Sequence, residues 1–345
     1  MPPPHPPTYT RAQLAQYLHR IGYHHHHNNK ASDDNDDGEA RLLHLEQSVQ
    51  HDPLSALTAL QRHHLAAIPF GNTVLHYSPR RTVTLHPATL FRKLVERKLD
   101  GYCMENTGLF CVVLRSLGFK VYATGGRVSQ AASRGARGAV VGEEDEDVGL
   151  YGGFRLLCIV SLLATGFLAD EGLQVDVGFG PLCPTRPLLL AENRITPSIA
   201  PAEMRLVRDS IPEFTDPSQK VWIYQTRFSP KSGWIPGYCF SEIEFLPQDF
   251  DVMNLSTSTS RASFFTYRVL CVRMILDEEK EEDIVGQYVL SGNNVKRRIK
   301  GMSEILETLE TEADRVNALA KWFGIHLRPD EVQAIRGMVS EITKP

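Results

Sequence analysis

A chain of 345 residues with 42% apolar residues is long and apolar enough for two or three packed domains. Its formal net charge of −4 leaves no basic surplus to displace counterions, which excludes nucleic acid as the main partner. Six cysteines without metal-ligand or disulfide-framework spacing point to a reducing, cytoplasmic setting and to no metal site.

Residues 1–8 form a proline-rich leader with no apolar stretch, so they do not read as a signal peptide. Tyr9 to Ile21 predicts an amphipathic helix, with Leu14, Tyr17, Leu18 and Ile21 on one face. Residues 24–40, with four adjacent histidines and an Asp-rich run, read as a low-complexity insertion that cannot fold a metal site around itself. Ala40–Val49 and Leu54–Leu65 predict two helices joined near Pro53, and Pro87–Leu94 a third. His63, His64 and His76 read as core or polar-contact residues, not as bases.

The stretch Gly101-Tyr102-Cys103-Met104-Glu105-Asn106 opens a further helix, with Phe110, Val113, Leu114 and Leu117 apolar and Gly118 closing it. Cys103 then sits in the first turn, where free N–H groups and the helix dipole favour a thiolate. Beyond Gly118 the period shortens. Lys120–Thr124, Phe154–Leu163, Leu173–Val177, Met204–Arg208, Val221–Gln225 and Phe264–Met274 predict strands, and residues 129–148 a solvated acidic loop. The run from Leu156 to Leu163 is too short to span a bilayer, so no membrane partner is expected. From Ser291 the pattern reads as helical, with Thr311 and Asp314 as a capping signal, Gly324 as a stop and a last helix near Pro329.

Gly-Tyr-Cys-Met-Glu-Asn at 101–106, together with Val-Asp-Val-Gly-Phe-Gly at 175–180, resembles the arylamine N-acetyltransferase family, and its fungal members in particular. His64-Leu65-Ala66-Ala67-Ile68-Pro69-Phe70-Gly71-Asn72 looks like a second signature of that family. The resemblance implies an α+β fold: a helical domain over 1–118 carrying the nucleophile, an antiparallel β-barrel domain over 119–225, and a C-terminal α/β lid over 226–345. It also implies a ping-pong reaction on a Cys-His-Asp triad, in which cysteine takes an acyl group from acetyl-CoA or a related acyl-CoA and passes it to an arylamine, a chemistry of xenobiotic metabolism.

Mapped residue by residue, Cys103 matches the nucleophile and Asp176 the carboxylate. The position aligned with the histidine is Arg155, and no histidine occurs between 87 and 325. Asp100 stands where the family usually has a second glycine. A guanidinium stays protonated, so Arg155 cannot be a general base, although it can support a thiolate and pair with Asp176. Gly125-Gly126-Arg127-Val128 match a loop that lines the donor pocket. Ser258 and Thr259, in the stretch from Asn254 to Ser260, match the segment approaching the coenzyme's phosphates, and Lys296-Arg297-Arg298 could meet a phosphate or form a solvated strand end. Phe179 is a candidate wall of the amine pocket and equally a core residue. The alternative from another class is an inactive homologue that binds CoA or a protein partner. A papain-like hydrolase would need a histidine that this stretch also lacks.

Overall fold

Thr10 caps the first helix, α1 (Arg11–Arg20), in a reciprocal capping box with Gln13, and the helix buries Leu14, Tyr17 and Leu18. The computed structural model describes residues 6–23, 34–132, 150–151, 158–168, 171–277 and 283–343. α2 (Asp34–His51) begins inside the tract expected to be an insertion. α3 (Pro53–Ala67) starts at Pro53 with Asp52 as N-cap and buries Gln61, His63 and His64. Short elements follow: β1 (Phe70–Gly71), α4 (Val74–Tyr77), α5 (Pro87–Phe91) and a π-helical turn over Arg92–Glu96. They lead to α6 (Cys103–Ser116), whose residues from Cys103 to Thr107 are all buried.

Two antiparallel sheets make up the rest. The larger has eight strands in the order β5-β4-β3-β2-β9-β8-β7-β6. Its strands are β2 (Lys120–Val128), β3 (Cys158–Leu168), β4 (Glu171–Val175), β5 (Leu188–Leu189), β6 (Thr196–Pro197), β7 (Glu203–Asp209), β8 (Val221–Arg227) and β9 (Ile235–Phe240). Among the described residues no ladder joins β5 to β6, but a parallel bridge from Glu192 to Leu206, with the Asn193 N–H donating to the Leu206 carbonyl (2.8 Å), ties the chain after β5 to β7. The smaller sheet runs β1-β10-β11-β12-β13, with β10 (Leu270–Leu276), β11 (Ile284–Ser291), β12 (Asn294–Ile299) and β13 (Met302–Thr308). Between the sheets in sequence lies α7 (Pro247–Thr259); α8 (Glu312–Phe323) and α9 (Pro329–Gln333) end the chain.

The expected boundaries shift accordingly. The division at 225 falls within β8, and β9, expected in the lid, sits between β2 and β8 of the larger sheet. β1, expected in the helical segment, pairs with β10 of the smaller sheet. The expected strand Phe264–Met274 is a 3-10 turn, Phe264–Thr266, followed by β10. The helical reading after Ser291 is corrected by the β11–β12–β13 meander. Its last turn, Lys300–Gly301, has both φ angles positive (47° and 82°), which matches the twist of a tight hairpin. β12 and β13 carry Lys296, Arg297, Arg298, Glu304 and Glu307, so little apolar alternation marks them as strands. Arg297 and Glu304 instead pair directly across the ladder. The predicted end of α8 holds: Thr311 and Asp314 form a capping box, and Gly324 is left-handed at φ 68°.

One apolar core joins the helices to both sheets, running from Leu14 and Leu60 through Phe110 to Val175, Tyr238 and Val272. A smaller core under α8 contains Leu290, Leu319 and Phe323. Among the described residues no helix is long and apolar enough to cross a membrane.

Candidate active site

Cys103 is the first residue of α6 and is 3% exposed. The turn before it is locked to β1. The Gly71 N–H donates to the Gly101 carbonyl (2.9 Å), and the Gly101 N–H donates to the Pro69 carbonyl (3.2 Å). A Cβ on Gly101 would sit 2.9 Å from Asn106 Oδ1 and 3.0 Å from Leu94 Cδ2, so only glycine lets the chain pass here. Glu105 Oε2 accepts from the Tyr102 N–H (3.2 Å), and its Oε1 accepts from Lys93 Nζ (2.6 Å). The Tyr102 hydroxyl donates to Asn254 Oδ1 on α7. Asp100 is fully buried and accepts from the Thr73 N–H (2.9 Å) and the Thr73 hydroxyl. The absent side chain of Gly71 makes room for it, since a Cβ there would lie 2.2 Å from Asp100 Oδ2.

Asp176 follows β4 and is fully buried. Its Oδ1 accepts from the Gly178 N–H (2.7 Å), and among the described residues Oδ2 makes no direct hydrogen bond, although the Tyr238 hydroxyl lies nearby. Burial pushes the carboxyl up to about 6, opposed by the Gly178 N–H and by the nearby Tyr238 hydroxyl. That hydroxyl in turn accepts from Gln174 Nε2 (2.7 Å). Gln61 of α3 fixes the backbone, donating to the Asp176 and Pro184 carbonyls (2.9 Å each). Gly178 is the hinge pin of the site. A Cβ on it would lie 2.7 Å from the Cys103 carbonyl oxygen, 2.9 Å from Cys103 Cα and 2.6 Å from Thr107 Oγ1. The two sequence motifs therefore press together at this glycine, and the turn holding Asp176 lies on the first turn of the cysteine helix.

Arg155 lies outside the described residues, as do residues 133–149 of the expected acidic loop. The β3–β4 ladder ends with Leu162 opposite Val175, so one step further its register brings Ser161 level with Asp176. The buried His64 and His76 of the helical segment are structural. His64 Nδ1 meets the Tyr17 hydroxyl at 2.9 Å, and burial drops its pKa to about 3. His76, lowered to about 4 by burial, contacts the Phe265 carbonyl and Ser340. Neither ring carries a charge near neutral pH.

Two loop expectations are corrected. Gly125, Gly126, Arg127 and Val128 lie within β2, not in a loop after it. Gly125 is glycine because the Phe245 ring occupies its side-chain space, with Cε2 2.3 Å from an ideal Cβ. Ser258 and Thr259 lie on α7 and return their hydroxyls to the Asn254 and Leu255 carbonyls (2.7 Å each), the usual fate of such residues inside a helix. Phe179 is half-buried and packs edge-on against Tyr238 at 4.7 Å and Tyr224 at 6.2 Å, so it belongs to an aromatic cluster beside Asp176. Sequence reasoning missed Lys93, Gln61, Gln174, Tyr238 and the role of Asn254. Each acts through a contact distant in sequence, and none belongs to a local motif. Among the described residues no cluster of His, Cys, Asp or Glu is arranged to hold a metal ion.

A sequence profile of the N-acetyltransferase family matches residues 53–140 and 164–332, and both Cys103 and Asp176 fall in the matched parts. The chain belongs to the arylamine N-acetyltransferase family. The N-malonyltransferase FDB2 of Gibberella moniliformis is 39% identical over 311 residues, covering 86% of this chain and 87% of that protein. The N-malonyltransferase FDB2 of Fusarium pseudograminearum (strain CS3096) is 37% identical over 334 residues, covering 94% and 92%. The Mycobacterium marinum arylamine N-acetyltransferase in complex with CoA superposes with a TM-score of 0.66 at 25% identity, covering 94% of this chain and 99% of that one. The Nocardia farcinica arylamine N-acetyltransferase gives 0.66 at 26% identity, covering 96% and 97%. The family and these relatives are acyltransferases. The family match breaks over 141–163, and that break contains Arg155 and Ser161.

Proposed function

We propose that this chain is an N-acyltransferase that carries a short acyl group from acyl-CoA to an arylamine as a Cys103 thioester. The observation that carries the reading is the seat of Gly178 on the Cys103 backbone, which unites the nucleophile helix and the Asp176 turn. In the first half-reaction the Cys103 thiolate attacks the thioester carbonyl, a new C–S bond forms, and CoA departs as a thiolate. In the second, the amine nitrogen attacks the acyl-cysteine, loses a proton as the tetrahedral intermediate collapses, and Cys103 leaves as thiolate. Relatives named as N-malonyltransferases make malonyl-CoA a donor to set beside acetyl-CoA. The free, buried cysteines suit a reducing cytoplasm.

The second half-reaction is the weak one. Arg155 is assigned the role of counter-charge to the thiolate and to Asp176, and it cannot take the amine's proton. Loss of a general base costs ~10²–10⁴-fold in rate. Arg155, at the position aligned with the family's histidine, favours a second reading, a CoA-binding homologue that acylates but does not turn over. Intact mass after incubation with acetyl-CoA or malonyl-CoA, followed by an arylamine, separates the two. An acyl adduct that needs Cys103 and is cleared by amine supports transfer. An adduct that persists supports the second reading, and no adduct on folded protein removes the acyltransferase reading. Clearance gained in Arg155→His or in Ser161→His identifies which position supplies the missing base.

A further inference from the structure

The first turn of α6 has a second face, turned away from Asp176. There Glu105 lies at the base of a cavity of about 210 Å³, lined among others by Tyr77, Thr89, Lys93, Leu99 and Glu331. The Glu105 side chain is 2% exposed and that of Lys93 14%, and their 2.6 Å contact is an ion pair closed off from most solvent. The same carboxylate holds the N–H of Tyr102, the residue immediately before the nucleophile.

We infer that Lys93 is a positioning residue for Cys103: by neutralising Glu105 it lets that carboxylate cap the cysteine helix without adding negative charge beside the thiol. This inference rests on Cys103 being the nucleophile. A carboxylate at the third position of a helix is a good cap, but it opposes a thiolate on the same turn. Lys93 removes the conflict. The groups facing Glu105 are Lys93 from the π-helical turn, Asp100 from the turn before the helix, and the Tyr102 N–H on its own turn; Glu331 lines the same cavity, held by Arg97 and Arg328. Burial raises the Glu105 carboxyl and the Lys93 ammonium lowers it, with Asp100 adding a smaller upward push. Without Lys93, Glu105 either stays charged beside the thiol or takes a proton and caps Tyr102 less well. Both outcomes make the Cys103 thiolate harder to form.

Alkylation of Cys103 by iodoacetamide, followed by mass spectrometry across pH, reads the thiolate without requiring acyl transfer. Lys93→Met should move the alkylation midpoint upward by about one unit, a roughly tenfold slower reaction near neutral pH. Lys93→Arg should restore it. The double variant Lys93→Met with Glu105→Gln removes both charges while keeping an acceptor for Tyr102, and should return the midpoint close to that of the unaltered protein. A purely structural role would leave the double variant as slow as the single one, and that result would overturn the inference. So would an unshifted midpoint in a folded Lys93→Met protein. Acyl-CoA labelling of the unaltered protein at some residue other than Cys103 would instead remove the reading on which the inference stands.

Discussion

Asp176→Asn should flatten the pH dependence of stability. In the folded chain the Asp176 carboxyl is raised from its ordinary 3.8 to about 6, so between those values the folded state binds more protons than the unfolded one. Stability contributed by this group is full below the lower value and is lost as pH rises through the upper one. The asparagine variant has no such loss. Its stability relative to the unaltered chain should therefore rise by ~3 kcal/mol between acid and neutral pH, from two units at 1.36 kcal/mol each. The difference between two pH values cancels any constant cost of the new amide group. Urea unfolding of both proteins at pH 3 and pH 7.5 checks this, and parallel pH profiles would show that the carboxylate is charged without penalty. The same variant should lose turnover, because Asp176 is the carboxylate assigned to the site and its amide replacement carries no charge.

Gly178→Ala should harm both stability and chemistry. The added Cβ meets Cys103 backbone atoms at 2.7 and 2.9 Å, and backbone cannot rotate away as a flexible side chain can. Overpacking of this kind costs ~1–3 kcal/mol. The larger effect is on chemistry. Relief of the clash separates the Asp176 turn from α6, and a displacement on the order of 1 Å in a catalytic group costs ~10²-fold in rate. Cys103 acylation per unit of folded protein is the check. Gly118→Ala serves as contrast: its φ of 88° is strained for alanine, but nothing lies within 4 Å of an added Cβ, so it should lose stability and leave acylation intact.

The parts of the site written as local motifs were legible in the sequence. The helix start at Cys103 follows from an apolar period closed by Gly118 and the end of α8 from Thr311, Asp314 and Gly324, while the roles of Cys103 and Asp176 come from the family resemblance of 101–106 and 175–180. The contacts that complete the site were not legible, because they join segments far apart. Lys93 reaches Glu105 from a π-helical turn, Gln61 reaches the Asp176 carbonyl from α3, and Tyr238 comes from a strand assigned to another domain. The glycine pair at 125 and 126 shows the opposite error. A glycine pair suggests a loop, whereas these two lie in β2, where Gly125 admits the Phe245 ring. The β12 and β13 strands escaped because charge pairs, not an apolar stripe, hold them together.

We propose that Cys103 and Asp176 form one acyl-transfer site whose first half-reaction outpaces its second. Stopped-flow release of free CoA, on mixing the protein with malonyl-CoA and an arylamine, tests it most directly. The predicted result is a burst of about one equivalent of CoA followed by slow turnover, with no burst from Cys103→Ala. Steady release without a burst, or the same burst from Cys103→Ala, would contradict it.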